Sequence, residues 1–152
     1  MDTTNLPDLV ALLRGFTLTV RTGLWLATHA VFGKEQDEAA RLSIDAIDLR
    51  IPILARLPEG TRFLGLSMAV IIDGLDMICH QKDGSDCVLV YNLDLLIARL
   101  HRPERIEFWH YLYRGFPHRS RGLLLIMPRQ AIYLLPTDDL LDDWGRDKRL
   151  VF

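Results

Sequence analysis

The chain has little of what would tie it to an oxidising compartment, a bilayer or a polyanion. Only two cysteines occur in 152 residues, Cys79 and Cys87, which excludes a disulfide-stapled scaffold. The opening MDTTNLPDLV is acidic and polar rather than basic and then apolar, so no secretory signal is expected there and the chain reads as cytoplasmic. Its most apolar early stretch, residues 9–33, is interrupted by Arg14, Arg21 and two glycines, short of the roughly 18 unbroken apolar residues of a membrane span. Neither sign of charge prevails: 18 Lys plus Arg stand against 20 Asp plus Glu, so any attraction to nucleic acid must come from a local patch. Proline and glycine fall singly, without a linker, repeat or low-complexity run. Residues 1–152 are therefore expected to form a single domain.

What is present is alternation. An amphipathic helix is expected near 7–21, then a short strand GLWLA (23–27), a loop, and the helical stretch EQDEAARL. SIDAIDL (43–49) reads as a second strand, and IPILARL as a short helix with Pro52 in its first turn and a stop at PEG (58–60). Ser67 is placed to cap a longer helix whose Ile71, Leu75, Ile78 and Cys79 share one face, ended by HQKDGSD. CVLVY (87–91) and GLLLIM (122–127) are continuous apolar runs, as in strands buried on both faces of a parallel sheet. Between them lie helical residues 93–101 and a helix begun at Pro103, PERIEFWHYLYRG. A Thr137-capped helix stopped by Gly145 and a final RLVF complete the series. Strands alternating with helices predict a three-layer α/β fold with about five mainly parallel strands.

In such folds, sites gather at the carboxyl ends of the strands, and there THAVFGKE (28–35) invites comparison with the phosphate loop G-x-x-x-x-G-K-[ST]. Gly33 permits close backbone approach and Lys34 supplies the ammonium for β/γ-phosphates. Thr28 replaces the first glycine, and Glu35 stands where a hydroxyl would hold Mg²⁺. The third strand ends VLVYNLDLL, so Tyr91 takes the place of the metal-binding aspartate of nucleotide hydrolases. Asn92 follows, and Asp94 is the nearest acid, equally well read as a helix-start residue. The fourth strand ends LIMPRQ, with Arg129 as the polar residue close by. Cys79, His80, Cys87 and His101 lack the paired spacing of a zinc site, and no other metal site is expected.

By its order of elements, THAVFGKE, VLVYNLDLL and the strand RSRGLLLIMP, the chain resembles the P-loop ATPase superfamily of the AAA+ and RecA-like branch, in a minimal form without a C-terminal lid. More narrowly it is similar to the BrxF family of small P-loop proteins of BREX phage-defence systems. The resemblance implies a P-loop NTPase-like core with sheet order 2-3-4-1-5. It also implies that an arginine before the fourth strand, Arg119 or Arg121, reaches a neighbouring subunit's nucleotide site, where a guanidinium stabilises phosphoryl charge. The departures at Thr28, Glu35 and Tyr91 suggest a degenerate member that serves assembly.

Three functional readings follow. One is a non-catalytic P-loop-like subunit that acts by contact with a larger protein partner or with copies of itself, in a complex against foreign DNA, with no cofactor. Another is a small ATPase that holds Mg-ATP through Lys34, with Thr28, Gly33 and Asn92 around it and Glu35 or Asp94 on the metal. The third is a DNA- or RNA-binding module, because residues 102–121 carry five arginines, Arg114, Arg119 and Arg121 among them, interleaved with aromatics. Ile106, Trp109 and Tyr113 share a helical face, which equally suits core packing or a protein interface. A membrane partner is not expected.

Overall fold

The computed structural model describes residues 4–55, 66–81, 84–116 and 120–152. Strands and helices alternate as α1 (Leu6–Arg14), β1 (Thr22–Ala27), α2 (Glu35–Arg41), β2 (Asp45–Asp48), α3 (Arg50–Ala55), α4 (Met68–His80), β3 (Cys87–Tyr91), α5 (Leu93–Ile97), α6 (Arg102–His110), β4 (Gly122–Pro128), α7 (Asp138–Arg146) and β5 (Leu150–Val151). The five strands form one sheet in the order β2-β3-β4-β1-β5, every pairing parallel. Strand order is thus the one the resemblance implies, and the α/β class is the one the alternation predicts.

Side chains alternate along the strands and so build a core on each face of the sheet. Leu24, Leu26, Val88, Val90, Leu123, Leu125 and Met127 pack with α4 and α6, around the wholly buried Trp109 and Trp144. Trp25, Ala27, Leu89, Leu124 and Ile126 face the other way, under α1 and α2. Cys79 belongs to the first core and Cys87 to the second, so the sheet separates the two thiols. Burial pushes the Cys87 thiol up to about 12, leaving it a small apolar residue at neutral pH.

The amino end of the sheet is closed by arginines. Arg21, Arg121 and Arg149 directly precede β1, β4 and β5, and each is buried. Arg21 Nε donates to Leu13 O at 2.8 Å. Arg121 donates to Ser85 O (2.8 Å), Ile78 O (3.2 Å) and Asp45 Oδ2 (2.7 Å). Arg149 donates to Thr22 O (2.7 Å) and Thr22 Oγ1 (2.6 Å) and lies over the Tyr113 and Trp144 rings. The planar five-donor fork suits this work, since one cation can satisfy carbonyls from several elements.

Some boundaries differ from the expected ones. α1 ends at Arg14 rather than near 21, because Gly15 leaves the helix in extended backbone and its N–H closes the last turn on Leu12 O. The helix after Pro103 is not uniform: α6 gives way at Tyr111–Gly115 to a π-helical turn. Thr137 occupies the N-cap of α7 but makes no side-chain cap hydrogen bond, and the helix runs through Gly145 to Arg146. Ser67 caps α4 as expected, accepting from Val70 N–H at 3.4 Å. The stop expected at 58–60 lies outside the described residues.

Candidate functional site

The parallel sheet brings the ends of β1, β2 and β3 together, and with them the residues singled out in the sequence. The loop after β1 is folded in on itself. Thr28 heads a 3-10 turn over His29–Val31, and the N–H groups of Val31, Phe32 and Lys34 donate to Thr28 O (3.2 Å), His29 O (3.3 Å) and Val31 O (2.9 Å). The remaining amide of that run, Gly33 N–H, is held by both oxygens of the Glu35 carboxylate at 3.0 Å each. Gly33 reaches this position at φ +92, open to glycine and strained for other residues. A phosphate loop works by turning such amides toward an anion; here each of them is satisfied within the loop.

Charge around the loop points the same way. Glu35 is buried at the head of α2, and Asp37 and Glu38 share that first turn. The partial positive charge of the helix terminus therefore faces the chain's own carboxylates. Lys34 is exposed, and its side chain has no hydrogen bond or ion pair among the described residues.

The ends of β2 and β3 carry a second cluster. Arg50 holds Asp48 with a two-pronged contact, Nη2 to Oδ2 at 2.8 Å and Nε to Oδ1 at 3.1 Å, and Asn92 adds a side-chain hydrogen bond to Asp48. Burial pushes the Asp48 carboxyl up, but the hydrogen bonds and charge of Arg50, with Asn92, outweigh it and hold the pKa below the ordinary value. Asn92 is in the left-handed region at φ 64, which asparagine tolerates. Asp94 is half-buried, and burial, helped by the nearby Glu35 charge, pushes its carboxyl up. Tyr91 accepts a hydrogen bond from Gln36 Nε2 at 3.2 Å, and the same amide donates to Ala46 O. Tyr91 and Gln36 thus brace α2 against β2 and β3.

The fold brings Thr28, Gly33, Lys34, Glu35, Asn92 and Asp94 to one end of the sheet, where Gln36 and the Asp48–Arg50 pair, not singled out in the sequence, lie with them. A polar residue one helix position after the loop and a D-x-R step after an apolar strand were the available signals.

The arginines singled out near residues 114–121 do not form one surface. Arg114 is exposed, its Nη2 3.1 Å from His110 Nδ1. Arg119 lies outside the described residues. Arg121 is engaged inside the chain at the amino end of the sheet, as described above, away from the loop after β1.

Apolar side chains gather instead at the carboxyl edge. Apart from Phe16, the exposed large hydrophobics among the described residues are Ile51, Leu54, Leu95, Ile132, Tyr133 and Phe152. Each sits on the segment that leaves the carboxyl end of a strand. Beside Ile132 and Tyr133 lies a cavity of about 470 Å³, bounded by α6, the 132–136 turn and the start of α7.

The fold and this edge define an α/β protein with an all-parallel five-stranded sheet flanked by helices. Comparison with protein-family models, with curated proteins and with solved structures gives no match in any of the three.

Proposed function

We propose that this chain is a non-catalytic P-loop-like subunit that works by protein contact at the carboxyl edge of its sheet, within a larger assembly such as a complex directed against foreign DNA. The observation that carries the proposal is the closed loop 28–35. The amides of Val31, Phe32, Gly33 and Lys34 are satisfied internally, and the Glu35 carboxylate occupies the Gly33 N–H that a phosphate would need. An incoming triphosphate would have to displace that carboxylate and lie against further acidic charge at the head of α2. Tyr91 in place of a carboxylate removes the usual means of holding Mg²⁺ and aligning water. The exposed apolar side chains at the same edge favour protein contact over catalysis as the use of this surface.

The test is calorimetric titration of the purified chain with ATP and ADP, with and without Mg²⁺, beside Lys34→Ala and Glu35→Ser. No binding heat is expected for the unaltered chain or for Lys34→Ala. Micromolar binding that disappears in Lys34→Ala would overturn the proposal in favour of a Mg-ATP-binding ATPase that uses Lys34. Binding gained only in Glu35→Ser, which removes the carboxylate and supplies a hydroxyl, would identify Glu35 as the plug.

A further inference from the structure

We infer that the groove between α6 and the Ile132–Tyr133 turn receives an acidic, apolar segment of a partner protein. The inference deepens the proposal above and rests on its reading of this edge as a protein-contact surface. The groove encloses about 470 Å³, within the roughly 300–1,000 Å³ typical of sites that bury a ligand. Ile106, Trp109 and Leu140 contribute to its lining. Ile132 and Tyr133 stand side by side at its margin with 77% and 73% of their surface exposed, an apolar rim of the kind that marks interaction sites when it adjoins a groove. A second hollow of about 330 Å³ shares Asp138 and Leu141 with the first and extends to Phe152. The two together suit a length of polypeptide better than a single small molecule.

Charge selects the occupant. The α6 residues that line the groove include Arg102, Arg105 and His110 and no acid. The acids of α6 are directed elsewhere: Glu104 accepts from Met68 N–H at 3.0 Å, and Glu107 is exposed outside the lining. Arg105 spends one donor on Leu100 O at 2.9 Å, and a guanidinium has four more. Carboxylates over α6 with apolar side chains beside Ile132 and Tyr133 therefore satisfy both walls. Asp138 in both hollows and Asp142 in the second confine the partner's carboxylates to the α6 wall. A peptide can place them there and set neutral side chains against α7, whereas a nucleic acid carries a phosphate at every nucleotide and would bring some of them against these acids. Tyrosine and arginine, present here as Tyr133, Arg102 and Arg105, are also among the residue types that most often dominate protein binding.

The experiment is selection of a phage-displayed library of random peptides on the full chain, with Arg102→Glu and Tyr133→Ser as counter-targets. Both residues are exposed, and unchanged thermal unfolding would confirm that the variants fold. The expected result is enrichment of peptides that combine carboxylates with aromatic or aliphatic residues, and a loss of affinity of about tenfold or more in each variant. No enrichment, or enriched peptides that are not acidic or bind both variants equally well, overturns the inference. So does tighter, steeply salt-dependent binding of a poly-dT oligonucleotide, or self-association of the chain that Tyr133→Ser abolishes, which would give the groove to nucleic acid or to a second copy. Nucleotide binding in the calorimetric test would remove the proposed function without touching the groove, whereas a failed selection with silent calorimetry removes only the groove's occupant.

Discussion

Asp48 and Asp94, the latter three residues after Tyr91, which pairs with Asp48 across β2 and β3, are held in opposite environments. Hydrogen bonds from Arg50 and Asn92 overcome the burial of Asp48 and lower its pKa from 3.8, while burial and Glu35 raise that of Asp94 from 3.8. The signs of their contributions to stability are opposite. For Asp48 the folded pKa lies below the unfolded one, so its stabilisation is present above the unfolded pKa and is lost as pH falls through the folded value. For Asp94 the folded pKa lies above the unfolded one, so its contribution is full below the unfolded pKa and is lost as pH rises through the folded value. Asp48→Asn should therefore lower the melting temperature at neutral pH, with a deficit that narrows in acid. Asp94→Asn should raise it at neutral pH, with a gain that vanishes in acid. Thermal unfolding of both variants across the acid range checks the pair, and parallel shifts for the two would refute the account. None of this could be read from the sequence, where both are single aspartates after apolar runs; the difference is made by residues brought in from other strands and helices. The same holds for Glu35, whose role depends on its carboxylate turning back to an amide two residues earlier.

At the scale of elements, the helix ends show where local signals mislead. Gly145 reads as the stop of α7, yet the residue in the left-handed conformation is Lys148, at φ 60. Arg149 N–H donates to Trp144 O at 2.9 Å and Lys148 N–H to Gly145 O at 3.0 Å, the paired bonds of a Schellman ending. α2 ends in the same way on Ser43, at φ 58, with Ile44 N–H on Ala39 O at 3.0 Å and Ser43 N–H on Ala40 O at 3.1 Å. Each ending sends the chain directly into an edge strand of the sheet, β5 or β2, and buries the next residue, Arg149 or Ile44. Tertiary anchoring by those residues thus overrides the local preference for glycine. Side chains other than glycine cost roughly 1 kcal/mol in this backbone region, so Lys148→Gly and Ser43→Gly should each stabilise the fold by about 0.5–1 kcal/mol. Urea unfolding with an unchanged m-value would measure it, and a loss of stability in either variant would mean that its side chain contributes more than the strain removes. The apolar strands were the easier elements to read: CVLVY and GLLLIM are buried on both faces, so their composition alone identifies them.

Across the whole molecule, the two ends of the sheet differ in kind. The amino end is tied by three buried arginines that satisfy carbonyls from neighbouring segments; the carboxyl end carries a closed loop and a margin of uncovered apolar side chains. The class of fold followed from alternation, but the strand order did not, because periodicity along a chain says nothing about which parallel strands become neighbours; only the resemblance supplied it. Nor could the sequence place Arg121, since an arginine just before a strand looks the same whether it projects outward or turns under the sheet. If the carboxyl edge is a contact surface rather than a structural one, polar substitutions there should change what the molecule binds and leave its stability nearly untouched. Ile51→Gln, Ile132→Gln and Tyr133→Gln, made together on side chains that are mostly exposed, should each shift stability by less than about 0.5 kcal/mol. They should also sharply reduce the fluorescence of an added hydrophobic dye such as ANS, whereas Phe16→Gln, at the one large exposed apolar residue among those described that lies away from the carboxyl edge, should reduce it little. Dye binding that survives the three edge substitutions and is lost with Phe16→Gln would move the contact surface to the opposite end of the sheet. A large drop in melting temperature with the triple variant would instead show that these side chains support the fold.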